Sequence, residues 1–232
     1  METRPAGSLS TGLRALDGVL GGGGLPRGAI AEWFGPPACG KTTLALETVA
    51  HIQKSGALAA WIDADRTFDP AYAASLGVNL ERLPVARPES AEEAMEMARQ
   101  LVNSAALDLL VVDSAAALVS SLELDAGIGD AFAGLQSRVL ASRLRGVCLS
   151  LRRSGAAALF LNQSRARPEG AAGGTETSAG GPALKLHAAV RLRLEPENAT
   201  RLRLRVLKNS RAEASPGGVL AWREGAGFAD PL

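Results

Sequence analysis

The sequence predicts an α/β fold, with a mostly parallel central sheet flanked by helices and an antiparallel extension on the C-terminal side. Short apolar segments alternate with stretches of helical periodicity between residues 29 and 162, as in consecutive strand–helix units. A glycine-rich string at residues 35–42 stands between the first apolar segment and the first helical stretch. After residue 186, arginine alternates with apolar residues, which is typical of antiparallel strands with one exposed face.

The bulk composition is that of a globular protein. The 232 residues are 47% hydrophobic and 21% charged, which excludes an extended disordered chain. No apolar run reaches membrane-spanning length and residues 1–12 hold no hydrophobic signal region, so we expect a cytoplasmic protein without a membrane partner. The two cysteines are far apart, which excludes a disulfide framework or a cysteine-rich zinc site. We expect residues 1–232 to form a single domain with residues 1–9 flexible.

Charge is distributed unevenly along the chain. The formal net charge is +1, but residues 1–137 carry nine basic and 17 acidic side chains, a net charge of −8. Residues 138–232 carry 16 basic and seven acidic side chains, a net charge of +9. This asymmetry favours an anionic partner such as nucleic acid for the second half; the alternative is that the charges mix in three dimensions and form no patch.

The predicted strands and helices follow one another in order. Apolar segments predict strands at residues 29–34, 58–63, 83–87, 108–113 and 157–162. Helical spacing predicts helices at residues 42–55, 90–104 and 133–153. The arginine–apolar alternation predicts an antiparallel hairpin of residues 190–194 and 202–206 with a turn at 197–199, and a last strand at 218–223.

Two long connections interrupt this order. Residues 119–132 link a predicted strand to a predicted helix, with Gly127 and Gly129 near the tip. Residues 164–181 contain five glycines and no side chain that we expect to anchor in a core. Loops of this length inside a compact domain are usually functional or disordered, which makes both segments candidates for binding.

The glycine-rich string carries a specific chemistry. Residues 35–42 match the phosphate-binding pattern G-x-x-x-x-G-K-[ST] without a mismatch, between a predicted strand and a predicted helix as the motif requires. The loop N–H groups and the helix N-terminus would bind phosphate, Lys41 would reach the β and γ phosphates, and Thr42 would ligate Mg²⁺. The predicted ligand is therefore a nucleoside triphosphate with magnesium. Its binding residues are Gly35, Pro36, Pro37, Ala38, Cys39, Gly40, Lys41, Thr42 and Thr43.

Polar residues stand at the carboxyl ends of three other predicted strands. Asp113 follows four apolar residues and is the candidate acid that orients the Mg²⁺ shell in P-loop enzymes. Asp65 is a candidate general base for the attacking water, and the alternative is a residue that caps the next helix. Gln163 is a candidate sensor of the γ phosphate, and the alternative is a turn-forming residue.

These strings occur in an order that resembles the RecA recombinase family. The resemblance also rests on the strings STG at residues 10–12, DPAY at 69–72, IGD at 128–130 and VLKN at 206–209, and it runs from residue 10 to about residue 212. It implies a RecA-like P-loop NTPase core that binds ATP, Mg²⁺ and single-stranded DNA in DNA repair, recombination or the DNA-damage response. The two long connections match the family's two DNA-binding loops in length.

Positions that match the family's motifs imply roles in nucleotide chemistry. Thr42 and Asp113 would hold the metal. Lys41, Asp65 and Gln163 would complete the hydrolytic site around the triphosphate. The resemblance further implies that two residues contact the adenine, namely Asp69 and Tyr72.

The same carry-over implies a DNA surface and a subunit interface. Single-stranded DNA would follow a set of arginines and glycines, namely Arg138, Arg145, Arg165, Arg167, Gly180 and Gly181. Helical spacing agrees in part, because Arg138, Arg145 and Arg152 are seven residues apart and share one helix face; the alternative is a solvated arginine face. Lys185 and Lys208 would lie at an interface between subunits, near a neighbour's nucleotide.

The sequence also departs from the family pattern. Asp65 stands where the family has a glutamate that is one methylene longer, so we expect slow hydrolysis. Ser210 replaces the second interface lysine, for which Arg211 is a candidate substitute. Ala172 and Leu186 replace aromatic residues. We expect the family's N-terminal docking helix and C-terminal DNA-gathering domain to be absent, and we therefore expect limited self-association rather than long filaments.

Two functions are compatible with this pattern. The first is a single-stranded-DNA-binding protein with weak, DNA-dependent ATP hydrolysis. The alternative is a non-catalytic interaction module that docks on a recombinase or a translesion-polymerase assembly, with nucleotide as a structural ligand or switch. The intact phosphate loop and Asp113 favour nucleotide use, whereas Asp65 and Ser210 favour the alternative.

Overall fold

The computed structural model describes residues 7–125, 134–166, 176–213, 215 and 217–231. Its strands are β1 (Ser8–Leu9), β2 (Leu25–Pro26), β3 (Ile30–Gly35), β4 (Ala59–Asp63), β5 (Val85–Ala86), β6 (Leu109–Asp113), β7 (Ala157–Ala166), β8 (Glu176–Ser178), β9 (Ala188–Asn198), β10 (Arg201–Asn209), β11 (Gly217–Arg223) and β12 (Gly227–Ala229). Its helices are α1 (Arg14–Val19), α2 (Lys41–Lys54), α3 (Pro70–Ser75), α4 (Ala91–Asn103), α5 (Ser121–Leu124), α6 (Leu135–Ser154) and α7 (Pro182–His187).

The central sheet has the predicted mixture of parallel and antiparallel strands. Within the described residues its strand order is β12-β11-β10-β9-β3-β7-β6-β4-β5. Neighbouring strands from β9 to β5 are parallel, whereas β9, β10, β11 and β12 pair antiparallel. β8 pairs antiparallel with the end of β7, and β1 pairs with β2 outside this sheet. The predicted α/β class with a C-terminal antiparallel extension is therefore confirmed.

The central parallel strands are mostly apolar because helices cover both faces of the sheet. Every residue of β3, β4 and β6 is buried. Successive side chains of a strand point to opposite faces, so Trp33 and Trp61 pack into one core with α2, while Ile30 and Ile62 pack into a second core with α4 and α6. The two cores hold the carboxyl ends of the parallel strands along one edge, where ligands of such folds bind.

One prediction about the long connections is wrong. Residues 164–181 do contain anchoring side chains, because Ser178 and Ala179 are buried and β8 pairs with β7. A three-residue strand that pairs across a long connection leaves no period in the sequence. The short elements α1, α3, α5, α7, β1, β2, β8 and β12 were not predicted either.

The remaining predicted elements are confirmed to within a few residues, although β7, β9 and β10 are longer than expected. Of the helices described here, none combines the length and the apolar content that a bilayer-spanning helix needs.

Candidate nucleotide-binding site

The phosphate loop connects β3 to α2 at the carboxyl edge of the sheet. The chain turns sharply at Ala38 and Gly40, which have left-handed φ values of 57° and 87°. A side chain at Gly35 would not fit, since its Cβ would lie 2.4 Å from the carbonyl oxygen of Leu194. The first N–H groups of a helix have no intrahelical acceptor, so the start of α2 offers donors and a positive dipole to an anion.

The lysine of the motif lies over this loop. Lys41 Nζ donates to the carbonyl oxygens of Pro36 at 2.7 Å and Gly35 at 3.3 Å, and it lies 3.6 Å from Cys39 Sγ. The buried Cys39 thiol has a raised pKa because of desolvation, which the nearby Lys41 charge partly offsets. The ammonium group therefore lies where it would contact phosphates bound by the loop.

The two candidate metal ligands are in direct contact. Thr42 Oγ1 donates to Asp113 Oδ2 at 2.9 Å, which joins the start of α2 to the end of β6. Burial raises the pKa of Asp113 to about 6, the Thr42 hydrogen bond opposes this shift, and the Asp65 and Asp63 charges add to it. A hydroxyl and one carboxylate suit Mg²⁺, which completes its octahedral shell with phosphate oxygens and water. Among the described residues, no group of three or more His, Cys, Asp or Glu side chains could hold a metal ion by itself.

Two further candidates lie at the same edge. The Asp65 amide donates to the Asp113 carbonyl at 3.1 Å, and Asp65 Oδ1 accepts from Ser114 Oγ at 3.1 Å. The alternative of a helix cap does not hold, because Asp69 caps the next helix. Gln163 pairs with Gly35 in the β3–β7 register and lies inside β7, so it is not a turn-forming residue.

The residues predicted to contact adenine have structural contacts of their own. Asp69 Oδ1 accepts from the amides of Ala71 at 2.8 Å and Tyr72 at 3.1 Å, and so caps α3. Tyr72 is 38% exposed, and its hydroxyl lies 2.8 Å from Thr43 Oγ1. Tyr72 is therefore next to the phosphate loop, whereas the Asp69 carboxylate is engaged by the helix end.

A cavity of about 430 Å³ adjoins the loop on the side of the antiparallel extension. It is lined by Ala38, Gly40 and Thr43, by the end of the β9–β10 hairpin at Pro196, Asn198, Ala199, Arg201 and Leu202, and by an aromatic wall of Trp222 and Phe228. The two aromatic rings meet edge to face with centroids 5.1 Å apart. Sequence reasoning missed this pair; the available signal was two aromatic residues close together in a chain that is only 4% aromatic.

Comparison with known proteins agrees with this geometry. The family model for the RecA N-terminal domain matches residues 2–212 of this chain. The chain belongs to the RecA family. It is 50% identical over 185 residues to Protein RecA of Rubrobacter xylanophilus, covering 80% of this chain and 54% of that protein. It is 44% identical over 218 residues to Protein RecA of Gloeobacter violaceus, covering 90% and 58%, respectively. The chain thus spans about half the length of these curated relatives.

A buried polar network in this RecA-family chain was not predicted from sequence. Glu32 Oε2 pairs with Arg191 Nε at 2.6 Å, and Glu32 Oε1 accepts from Asn162 Nδ2 at 2.8 Å. Arg191 also donates to Ser178 Oγ at 3.0 Å, and Asn162 donates to the Ala179 carbonyl at 3.1 Å. The network therefore ties the strand that precedes the phosphate loop to β7, β8 and β9.

The two lysines predicted for a subunit interface contact their own chain. Lys185 Nζ donates to Thr177 Oγ1 at 2.6 Å. Lys208 Nζ donates to the carbonyl oxygens of Lys185 at 3.1 Å and Leu186 at 3.0 Å at the end of α7, and desolvation lowers its pKa. These contacts leave the interface role a prediction.

The predicted DNA-contacting arginines are exposed where the structure describes them. Arg138, Arg145 and Arg152 lie along α6, and Arg165 lies near the end of β7. Arg167 lies outside the described residues, as do Gly127 and Gly129.

The predicted glycines lie against the start of α6. Gly180 and Gly181 have φ values of 79° and 74°. A Cβ at Gly181 would lie 2.2 Å from Ser137 Oγ, so a larger residue there would displace one of the two segments. The fold thus places these glycines beside the α6 turn that carries Arg138.

A half-buried carboxylate lies beside Phe228. Glu47, on α2, accepts from the Phe228 amide at 2.7 Å through Oε1. Burial raises the pKa of Glu47 to about 7, although the Phe228 hydrogen bond opposes this shift. Its Oε2 is buried and has no hydrogen-bond partner among the described residues.

The substitution Glu47→Gln is expected to stabilise the protein in a pH-dependent manner. Between the ordinary glutamate pKa of 4.5 and the folded-state pKa of about 7, folded Glu47 binds more protons than unfolded Glu47, so the wild type loses stability as pH rises. The variant removes this loss, with a gain of about 1–2 kcal/mol at pH 8, since Glu47 is only half-buried and partly screened by water, and none at pH 4. Urea unfolding of both proteins across this pH range measures the difference. An equal pH slope in both would contradict the assignment, because Asp113 titrates alike in each.

Proposed function

We propose that this chain binds ATP and Mg²⁺ and acts on single-stranded DNA in recombination or repair, with slow ATP hydrolysis. The observation that carries the proposal is the contact of Thr42 with Asp113 beside Lys41, which gathers the phosphate- and metal-binding groups of a P-loop enzyme at one point. Membership of the RecA family supports the DNA-linked part.

The nucleotide is proposed to lie across the start of α2. Lys41 and the loop amides hold the phosphates, and Thr42 and Asp113 hold Mg²⁺, which neutralises charge on the phosphates when bound. The base enters the cavity of about 430 Å³, where Trp222 and Phe228 offer aromatic surface. The Tyr72 hydroxyl, 2.8 Å from Thr43 Oγ1, supports a place for Tyr72 at the rim of this site.

Slow hydrolysis is proposed to depend on Asp65. Its carboxylate lies beside Ser114 and Asp113, at the edge where the terminal phosphate would lie. Asp65 orients the attacking water and accepts its proton, while Gln163, paired with Gly35, contacts the phosphate. The short aspartate side chain limits the rate, since a misplacement of about 1 Å costs on the order of 100-fold.

Single-stranded DNA is proposed to follow the exposed face of α6 and the segment after β7. Four phosphate contacts would give a slope of about −3 in log K against log salt concentration. We expect Arg138→Ala and Arg145→Ala each to reduce this slope by about 0.7 without changing sequence preference. Fluorescence anisotropy at several salt concentrations measures both quantities.

The matched control for these variants is Arg143→Ala. Arg143 is exposed on the same helix but lies near Glu96 of α4, away from the proposed DNA surface. An equal loss of slope in all three variants would contradict the assigned face.

The decisive experiment is anisotropy with and without a non-hydrolysable ATP analogue. Nucleotide-dependent, salt-sensitive DNA binding is the expected result. Nucleotide binding without DNA binding would instead favour an interaction module for a recombinase or a translesion-polymerase assembly.

Self-association is also proposed, at the end of α7, where Leu186 is 73% exposed beside Lys185 and Lys208.

A further inference from the structure

Glu47 connects the phosphate-binding helix to the aromatic wall of the cavity. Gly40, Thr43 and Glu47 are spaced by three and four residues, which places them on one face of the α2 region. Gly40 and Thr43 line the cavity, and Glu47, one turn further, accepts from the Phe228 amide at 2.7 Å. One helix face thus carries both the end of the phosphate loop and the residue that anchors Phe228.

The fit around this anchor is close. A Cβ at Gly227, which has φ 81°, would lie 1.6 Å from Glu47 Oε1, so only glycine permits the contact. The Phe228 ring packs over Gly40, where a Cβ would lie 2.5 Å from the ring, and Trp222 packs against Phe228. The Glu47 hydrogen bond therefore holds the aromatic wall in its packed position against the phosphate loop.

Few charged side chains lie near Glu47. The titratable residues that line the space beside it are His51 and Lys54, both on α2, and Glu47 forms no ion pair with any residue that the structure describes. The neighbouring segments contribute uncharged residues, namely Thr11, Gly12, Leu13, Leu76, Ala226 and Phe228. The hydrogen bond to Phe228 is consequently the main polar contact of the carboxylate.

We propose that Glu47 is a positioning residue that holds Trp222 and Phe228 beside the phosphate loop, where the two rings border the space for a nucleobase. This inference rests on the proposed nucleotide site. Glu47 affects the nucleoside part of the ligand, and the triphosphate is held independently by Lys41, Thr42 and the loop. A charged acceptor makes a stronger hydrogen bond to Phe228 than a neutral one, but burial raises the pKa of Glu47 to about 7, so ionisation of Glu47 opposes the packing of the wall on α2.

The test compares Mg·ATP with Mg·tripolyphosphate by calorimetric titration. Glu47→Ala is expected to weaken ATP binding about tenfold and to leave tripolyphosphate binding within about twofold. Relative to Glu47→Gln, the wild-type ratio of ATP affinity to tripolyphosphate affinity should fall roughly fivefold from pH 6 to pH 8, because ionised Glu47 opposes the packing of the wall. Glu47→Gln supplies the reference ratio at each pH, because its amide does not titrate. Division by this reference removes the effects of Asp113 and of the different protonation of ATP and tripolyphosphate.

The matched control is Gln53→Ala. Gln53 is buried two turns further along α2 and binds the backbone of Asn79 through both side-chain atoms, at 2.8 Å and 2.9 Å. Its loss perturbs helix packing without reaching the cavity, so the affinity ratio should stay at the wild-type value. A changed ratio in this variant would attribute the effect to packing and would overturn the proposal.

Two other results would also overturn it. Glu47 variants that weaken both ligands equally, or neither, would show that the anchor does not act on the nucleoside. If the wild-type protein bound ATP no more tightly than tripolyphosphate, the aromatic wall would have no role in binding. The proposed phosphate site would still be supported. If neither ligand bound, the nucleotide site itself would fail and this inference would fall with it.

Discussion

Replacing Lys41 with alanine is expected to lower the affinity for Mg·ATP by about 100-fold or more. Hydrogen bonds from an ammonium group to phosphate contribute roughly 1.5–3 kcal/mol each, and Lys41 is placed to make at least two of them. In the structure its Nζ donates to the carbonyls of Pro36 and Gly35. The melting temperature of the variant, measured alongside, separates the loss in binding from any loss of stability. Titration of a fluorescent ATP analogue measures the effect.

Lys54→Ala provides the matched control for this prediction. Lys54 is the last residue of α2 and is exposed, so it removes the same charge from the same helix far from the loop. Its affinity for Mg·ATP should equal that of the wild type. Equal affinities of the Lys41 variant and the wild type would contradict the assignment of the phosphate loop. A DNA-stimulated ATPase assay on the same proteins tests whether bound nucleotide is also hydrolysed.

The phosphate site was predictable because its determinants are local. The loop, the first residues of α2 and the strand before them occupy consecutive positions, and each has a recognisable period or motif. Asp113 required one further step, since parallel strands bring their carboxyl ends to the same edge. The structure brings Asp113 to Thr42 and places Asp65 beside Asp113, while their chemical roles stay predictions.

The aromatic wall and its anchor could not be read from the sequence. Glu47 and Phe228 are 181 positions apart, and neither belongs to a motif. From sequence, a glutamate on an amphipathic helix is predicted to face solvent. Trp222 is predicted only to belong to a strand. Only the docking of β12 against α2 turns these residues into a cavity wall. Residues that meet through tertiary packing carry no periodic signal in either segment.

The buried network was missed for the same physical reason. Arg191 stands in an arginine–apolar alternation that predicts an exposed face, and neighbouring arginines of β10 are indeed exposed. Arg191 instead points at Glu32, 159 positions away, because β9 lies directly beside β3. Its guanidinium also lies 5.2 Å from the centre of the Phe34 ring. Alternation predicts which side chains share one face of a strand. Whether that face is exposed to solvent depends on the element that packs against it.

The substitution Arg191→Ala is expected to destabilise the fold by about 3–5 kcal/mol, because it leaves the fully buried carboxylate of Glu32 without its cation. Asn162 would remain as a neutral donor at 2.8 Å and would compensate only in part. Urea unfolding at constant pH measures the loss. The matched control is Arg99→Ala, which breaks an exposed pair with Glu96 and should leave the midpoint unchanged.

The double variant Glu32→Gln/Arg191→Met separates the cost of an unpaired buried charge from the net value of the pair. Removing both charges should restore most of the stability that Arg191→Ala loses, because no ion is then buried alone. If the double variant were as unstable as the single one, packing or the contact of Arg191 with Ser178 would be the main contribution. A restored fold would also permit a separate measurement. Because the network joins β3 to β7, in which Gln163 lies beside Gly35, weakened nucleotide binding in the stable double variant would indicate that the pair aligns these strands for the phosphate site.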